Sequence, residues 1–118
     1  MGYIRHHAIV VTTWERKLLQ AAHEKASEIF EWVSPISEGG INGYASFFIP
    51  PDGSKEGWGE SFAGDERRQT FMNWCDQQAY DDGSSSLDFV EVYYGDDYNM
   101  VGVSRANAGS DYGNKKND

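Results

Sequence analysis

The sequence predicts an α+β protein, a two-layer sandwich with two helices on one face of a mainly antiparallel sheet of four or five strands. Three stretches carry that expectation. Ala8, Ile9, Val10 and Val11 form an unbroken apolar run rich in β-branched side chains, the pattern of a central strand covered on both faces. Leu18, Leu19, Ala22, Ala26, Ile29, Phe30 and Val33 recur at three- and four-residue spacing, which is one buried stripe of a helix. Leu87 to Tyr94 and Asn99 to Ala106 flank a Gly95-Asp96-Asp97-Tyr98 turn and read as a hairpin.

The first strand is expected over Ile4 to Thr12. Thr12 stands three residues before Glu15, a capping-box pattern that places a helix start near Trp14. Arg16, Lys17, Gln20, His23, Glu24, Ser27 and Glu28 fill the side opposite the apolar stripe, so His23 is expected in solvent. Pro35 and Gly39-Gly40 end the helical pattern, with a short extra strand expected near residue 35. Tyr44 to Ile49 reads as the second main strand. It stops at Pro50-Pro51-Asp52-Gly53, where proline removes donors and glycine permits a turn.

Residues 52 to 64 carry four glycines around Trp58 and read as a loop. Asp65 is the expected cap of a second helix running to about Tyr80, with Phe71, Trp74, Cys75 and Ala79 on its inner side. Asp82-Gly83 and Ser84 to Ser86 lead to the final hairpin. Residues 1–106 make one domain, and residues 107–118, rich in Gly, Ser, Asn, Asp and Lys, are expected to form a flexible tail. The order strand, helix, strand, helix, strand, strand resembles a ferredoxin-like sandwich or a relative of it, an architecture that hosts many unrelated functions.

The chain has 118 residues, 39% of them apolar and 14% aromatic, enough for one domain with a core of its own. Cys75 is the single cysteine, which excludes an intramolecular disulfide framework. A soluble, cytoplasmic protein without membrane contact is expected, since there is no secretory leader and no apolar run long enough to cross a bilayer. The net charge of −9 is uneven: residues 50–118 hold six basic side chains against fourteen acidic ones. Between Arg68 and Arg105 there is no Lys or Arg, whereas Asp76, Asp81, Asp82, Asp88, Glu91, Asp96 and Asp97 all fall there. Such a field repels nucleic-acid phosphates and anionic lipid and attracts basic surfaces. Its plainest role is a solvated face.

His6 and His7 are adjacent strand residues that point to opposite faces, so they cannot share one metal. No HExxH and no paired cysteines accompany them, and neither a metal nor a cofactor is expected. Tyr94-Gly95-Asp96-Asp97 resembles the YGDD of template-dependent RNA polymerase palms. The match covers only those four residues, and Gly-Asp-Asp is also an ordinary hairpin turn. Cys75 is expected to be an inert buried thiol, and no GxSxG is present.

Asp52 to Arg68, DGSKEGWGESFAGDERR, is the segment richest in binding chemistry. Trp58 offers a large ring on glycine-flanked backbone, while Lys55, Arg67 and Arg68 are candidates to hold a phosphate near the start of the second helix. Against that, Asp65 and Glu66 occupy the same helix end, and Trp58 folding back over the sheet edge is the alternative.

HHAIVVTTW (6–14) and PPDGSKEGW (50–58) resemble small accessory proteins of tailed bacteriophages, which implies a viral protein that blocks or sequesters a host component by binding. Three functions follow. The first is a non-enzymatic acidic protein that docks a basic host protein through Asp81, Asp82, Asp96, Asp97, Tyr93 and Tyr94. The second is an oligomeric binder of a small phosphorylated, nucleotide-like ligand through Lys55, Trp58, Arg67 and Arg68. The third is a metal-assisted hydrolase using His6 or His7 with Asp96 or Asp97, which is expected to fail on distance. A homodimer, or a larger even-numbered assembly, joined through the sheet face or through the edge strands, is expected, because the final hairpin puts large side chains on both strand faces and leaves Tyr93 or Tyr94, with Tyr44, on the open side of the sheet.

Overall fold

The structure is a computed structural model that describes residues 3–107. Its elements are β1 (His6–Thr13), α1 (Arg16–Ile29), β2 (Ser37–Glu38), β3 (Ala45–Ile49), α2 (Gly59–Asp76), β4 (Asp88–Tyr94) and β5 (Gly102–Ala106). The strands form one antiparallel sheet in the order β2-β3-β1-β4-β5, so the apolar run of β1 occupies the centre. β3 and β4 both run antiparallel to β1 and therefore parallel to each other. α2 links them as a split β-α-β unit around β1.

Residues directly opposite in an antiparallel pair share a face. Ile9 pairs with Ile49 and Glu91, and Val11 with Phe47 and Phe89. This face meets Leu19, Ala22 and Ala26 of α1 and Phe71, Met72 and Cys75 of α2 in one buried core. The α+β sandwich with both helices on one side is thus the arrangement observed. The other face carries Thr12, Ser46 and Asp88 at one end, then Val10, Phe48, Val90 and Ala106, then Ala8, Val92 and Val103, and finally His6 and Tyr94.

Several boundaries differ from those expected. β1 continues through Thr13, whose hydroxyl accepts the Glu15 backbone N–H at 3.0 Å, so α1 starts at Arg16 without the capping box. The Glu15 carboxylate accepts hydrogen bonds from Ser86 and Tyr80 instead, which hold it below the usual carboxylate range. α1 stops at Ile29. His23 is not a solvent residue: its Nε2 meets the Ser34 carbonyl at 2.9 Å and its ring stands edge-on to Phe47. The second helix starts at Gly59, six residues before Asp65, so half of the expected loop is helical. Gly64 within it has a purpose, since a Cβ there would lie 2.9 Å from Asp52 Oδ2.

Asn107, assigned to the tail, is held instead: it donates to the Leu87 carbonyl and accepts the Phe89 N–H at 2.7 Å. The rest of the expected tail, residues 108–118, lies outside the described residues. Among the described residues no helix is long and apolar enough to cross a membrane.

Candidate functional site

The Pro50-Pro51 corner turns the chain from β3 away from the sheet and delivers Asp52 beside α2. Asp52 Oδ1 accepts the Ser54 amide at 2.9 Å and the Ser54 hydroxyl at 2.7 Å, a local turn that fixes the carboxylate. Partial burial alone would raise its pKa. The two Ser54 hydrogen bonds and the charges of Arg68 and Arg67 outweigh that, so the carboxyl sits below its ordinary value and stays ionised.

Two depressions adjoin at this point. A groove of about 550 Å³ runs between the end of α1 and α2, with Phe30, Trp32, Ile49, Pro51, Asp52 and Arg67 in its walls. A shallower one of about 310 Å³ is walled by Asp52, Ser54, Trp58, Glu60 and Arg67. Asp52 and Arg67 belong to both, and each depression has one exposed tryptophan in its wall, Trp32 at 71% exposure in the first and Trp58 at 49% in the second. These volumes lie in the range of ordinary ligand sites, ~300–1,000 Å³.

The four candidate ligand residues end up in different places. Trp58 is half-exposed, with the Lys55 ammonium 5.1 Å from its ring centroid. Arg67 lines the groove and makes no hydrogen bond or ion pair among the described residues. Arg68 turns inward: Nε donates to Glu91 at 2.7 Å, Nη2 to Asp65, and only its edge reaches the groove wall. Because α2 begins at Gly59, Arg67 lies two turns along the helix, ~12 Å from the free amides of its first turn. Arg68 and those amides therefore do not join Arg67 at one phosphate position.

The acidic candidates separate as well. Asp81 and Asp82 precede β4 and Asp96 and Asp97 follow it, so a seven-residue strand, ~20 Å, divides the pairs. Asp82 accepts the Ser84 hydroxyl and amide, which lower its pKa and fasten its own loop. Asp96 is buried. It accepts Arg5 Nε at 2.7 Å and the backbone N–H groups of Tyr98 and Met100, each at 3.0 Å. Burial pushes its pKa up, but those hydrogen bonds outweigh it and hold the carboxyl below its usual range. Tyr93 faces the helix side, under the Arg5 guanidinium and against Gly102, while Tyr94 is on the open face beside His6.

His7 points to the helix side and pairs with Glu56 at 3.1 Å, away from His6. Among the described residues no group of three or more His, Cys, Asp or Glu is placed to hold a metal. Burial, then the neighbouring Asp76 charge, pushes the Cys75 thiol up to about 12, so it stays protonated and unreactive.

Sequence reasoning missed Trp32 and Asp52 as groove residues. The available signal was a tryptophan outside the helical stripe, just after α1, and an aspartate next to a double proline that aims it. No family model, no curated protein and no solved structure matches this chain.

Proposed function

We propose that the chain is a non-enzymatic binding protein that grips a basic segment of a partner protein in the groove between Trp32 and Trp58. The observation that carries this reading is the pairing of two exposed indoles with an aspartate held ionised between them. A lysine or arginine side chain laid along the groove sets its cation against Asp52 and the ring faces, and tryptophan is the side chain that contributes most at such contacts. Arg68 is neutralised by Glu91 and Asp65, so Glu31, Asp52 and Glu60 outnumber Arg67 in the walls. The overall charge of −9 steers basic partners toward the protein. The resemblance of residues 6–14 and 50–58 to phage accessory proteins supports a viral chain that blocks or sequesters a host component, and the second of those stretches forms part of the groove.

Binding of lysine- and arginine-rich peptides, followed by tryptophan fluorescence, tests the reading. Basic peptides are expected to bind at least tenfold more tightly than acidic ones of equal length, with affinity falling as salt rises. Equal affinity in the parent protein and in Trp58→Ala and Asp52→Asn variants would defeat it. A second reading, a nucleotide-like ligand stacked on Trp58, is favoured by Lys55 over that ring and Arg67 beside it. A thermal shift with nucleotides but not with peptides selects this alternative.

A further inference from the structure

The helices cover one face of the sheet, and no helix of the described residues covers the other. Its middle is apolar, with Val10 at 38% and Phe48 at 44% exposure and Val90 and Val92 beside them. Among the strand residues of this face Asp88 is the one carboxylate, although the chain carries nineteen acidic side chains. A basic partner finds almost nothing to pair with here. A nearly uncharged apolar surface fits another of the same kind.

The polar groups of the face lie at its two ends. Asp88 stands in the row of Thr12, and His6 six residues away along β1, about 20 Å. Two copies related by a two-fold axis can meet face to face in two simple ways. With the axis along the strands, the two Asp88 side chains come to the same end. With the axis across them, the strands run antiparallel, and Asp88 comes over the end of the other copy where Tyr94 and His6 stand side by side.

We propose that the open face is the contact between two copies of this chain, packed with antiparallel strands so that His6 of each copy pairs with Asp88 of the other. The apolar rows of Val10 and Phe48 then interdigitate in the middle, with the two sheets turned about 30° by their twist. Four strands about 4.8 Å apart and a face about 20 Å long give two such surfaces a buried area on the order of 1,000 Å², the lower end of interfaces that persist in solution. The groove lies on the helix side, so both copies keep it free, and the dimer stands whether or not the groove binds a basic peptide.

Sedimentation equilibrium at micromolar concentration tests the dimer. The parent chain is expected at twice its 13.3 kDa mass, and Phe48→Asp at the single mass with an unchanged circular-dichroism spectrum. A single mass for the parent overturns the proposal, whether the face is then free, covered by residues after Asn107 or reserved for another protein. The arrangement is read from cysteine pairs, which leave the apolar rows intact and do not depend on Phe48→Asp folding. His6→Cys mixed with Asp88→Cys is expected to form an oxidised cross-linked dimer that neither variant forms alone. Cross-linking of Asp88→Cys with itself, or no cross-link in the mixture, overturns the antiparallel arrangement.

Discussion

Both faces of this sheet are apolar in their middle, and they differ in that the helix side also buries an ion pair. On the side covered by helices, Glu91 is 4% exposed in the middle of β4, paired with Arg68 from α2 and with the Ser104 hydroxyl at 2.8 Å. On the open side, at comparable depth in the strands, stand Val10, Val90 and Phe48. One ion pair is thus buried beside the apolar core of the helix side, while hydrocarbon is left on the open face. A buried ion pair adds little net stability compared with an apolar pair, because desolvation consumes most of the attraction. It does restrict geometry. Arg68 to Glu91 and Arg105 to Gln69, Asn73 and Asp76 fasten α2 to β4 and β5 in one register. The covered face is thus specific in itself, and among the described residues no helix covers the other.

The sharpest break of this contrast is Glu91→Ala, which leaves the Arg68 guanidinium buried without its main partner. The expected loss is about 3–5 kcal/mol of unfolding free energy, measured by urea denaturation. Arg68→Met combined with Glu91→Leu is expected to cost far less than either single loss, since it removes both charges together. Phe71→Ala, at the centre of the helix-side core between Phe30, Phe47 and Trp74, is expected to cost a similar 3–5 kcal/mol, or about that.

Asp96→Asn gives a smaller loss with a diagnostic pH profile. The folded pKa of Asp96 lies below its unfolded value, so its contribution is complete above the unfolded carboxylate pKa of about 4 and disappears as pH falls through the folded value. Melting midpoints of parent and variant should therefore converge in acid. An offset that stays constant below pH ~3 would assign the loss to turn geometry and not to ionisation. The smallest effect belongs to Trp58→Ala. A half-exposed ring is expected to change stability by no more than ~0.5 kcal/mol while weakening peptide binding at least tenfold.

The sheet and α1 were legible because their signals are periodic and local: the run at Ala8–Val11, the stripe from Leu18 to Ile29, and the final hairpin. The start of α2 was not. Gly59 and Gly64 read as loop residues, yet Gly64 is where Asp52 approaches the helix. Arg68 spoiled the amphipathic pattern because its partner, Glu91, lies 23 residues away on another element. The same distance problem hid Asp96, whose partner Arg5 is 91 positions upstream and turns an apparent surface carboxylate into an anchor for the β4–β5 turn. Of the candidate site, Trp58 and Arg67 were identifiable by residue type. Trp32 and Asp52 joined them only through the Pro50-Pro51 corner.

Ser104 is an extra residue in β5: the register slips between Glu91 and Val92, so Arg105 faces Glu91 while Val103 faces Val92. That irregularity sits on one outer strand of the sheet, and the other outer strand, β2, is two residues long. Neither border offers a straight row of free amides and carbonyls on which further strands could add indefinitely. Strand addition is disfavoured at both borders, which leaves the open face as the route by which the proposed pair of copies would associate. Deleting Ser104 would straighten β5, and the expected product is an open-ended filament, visible by thioflavin fluorescence and electron microscopy.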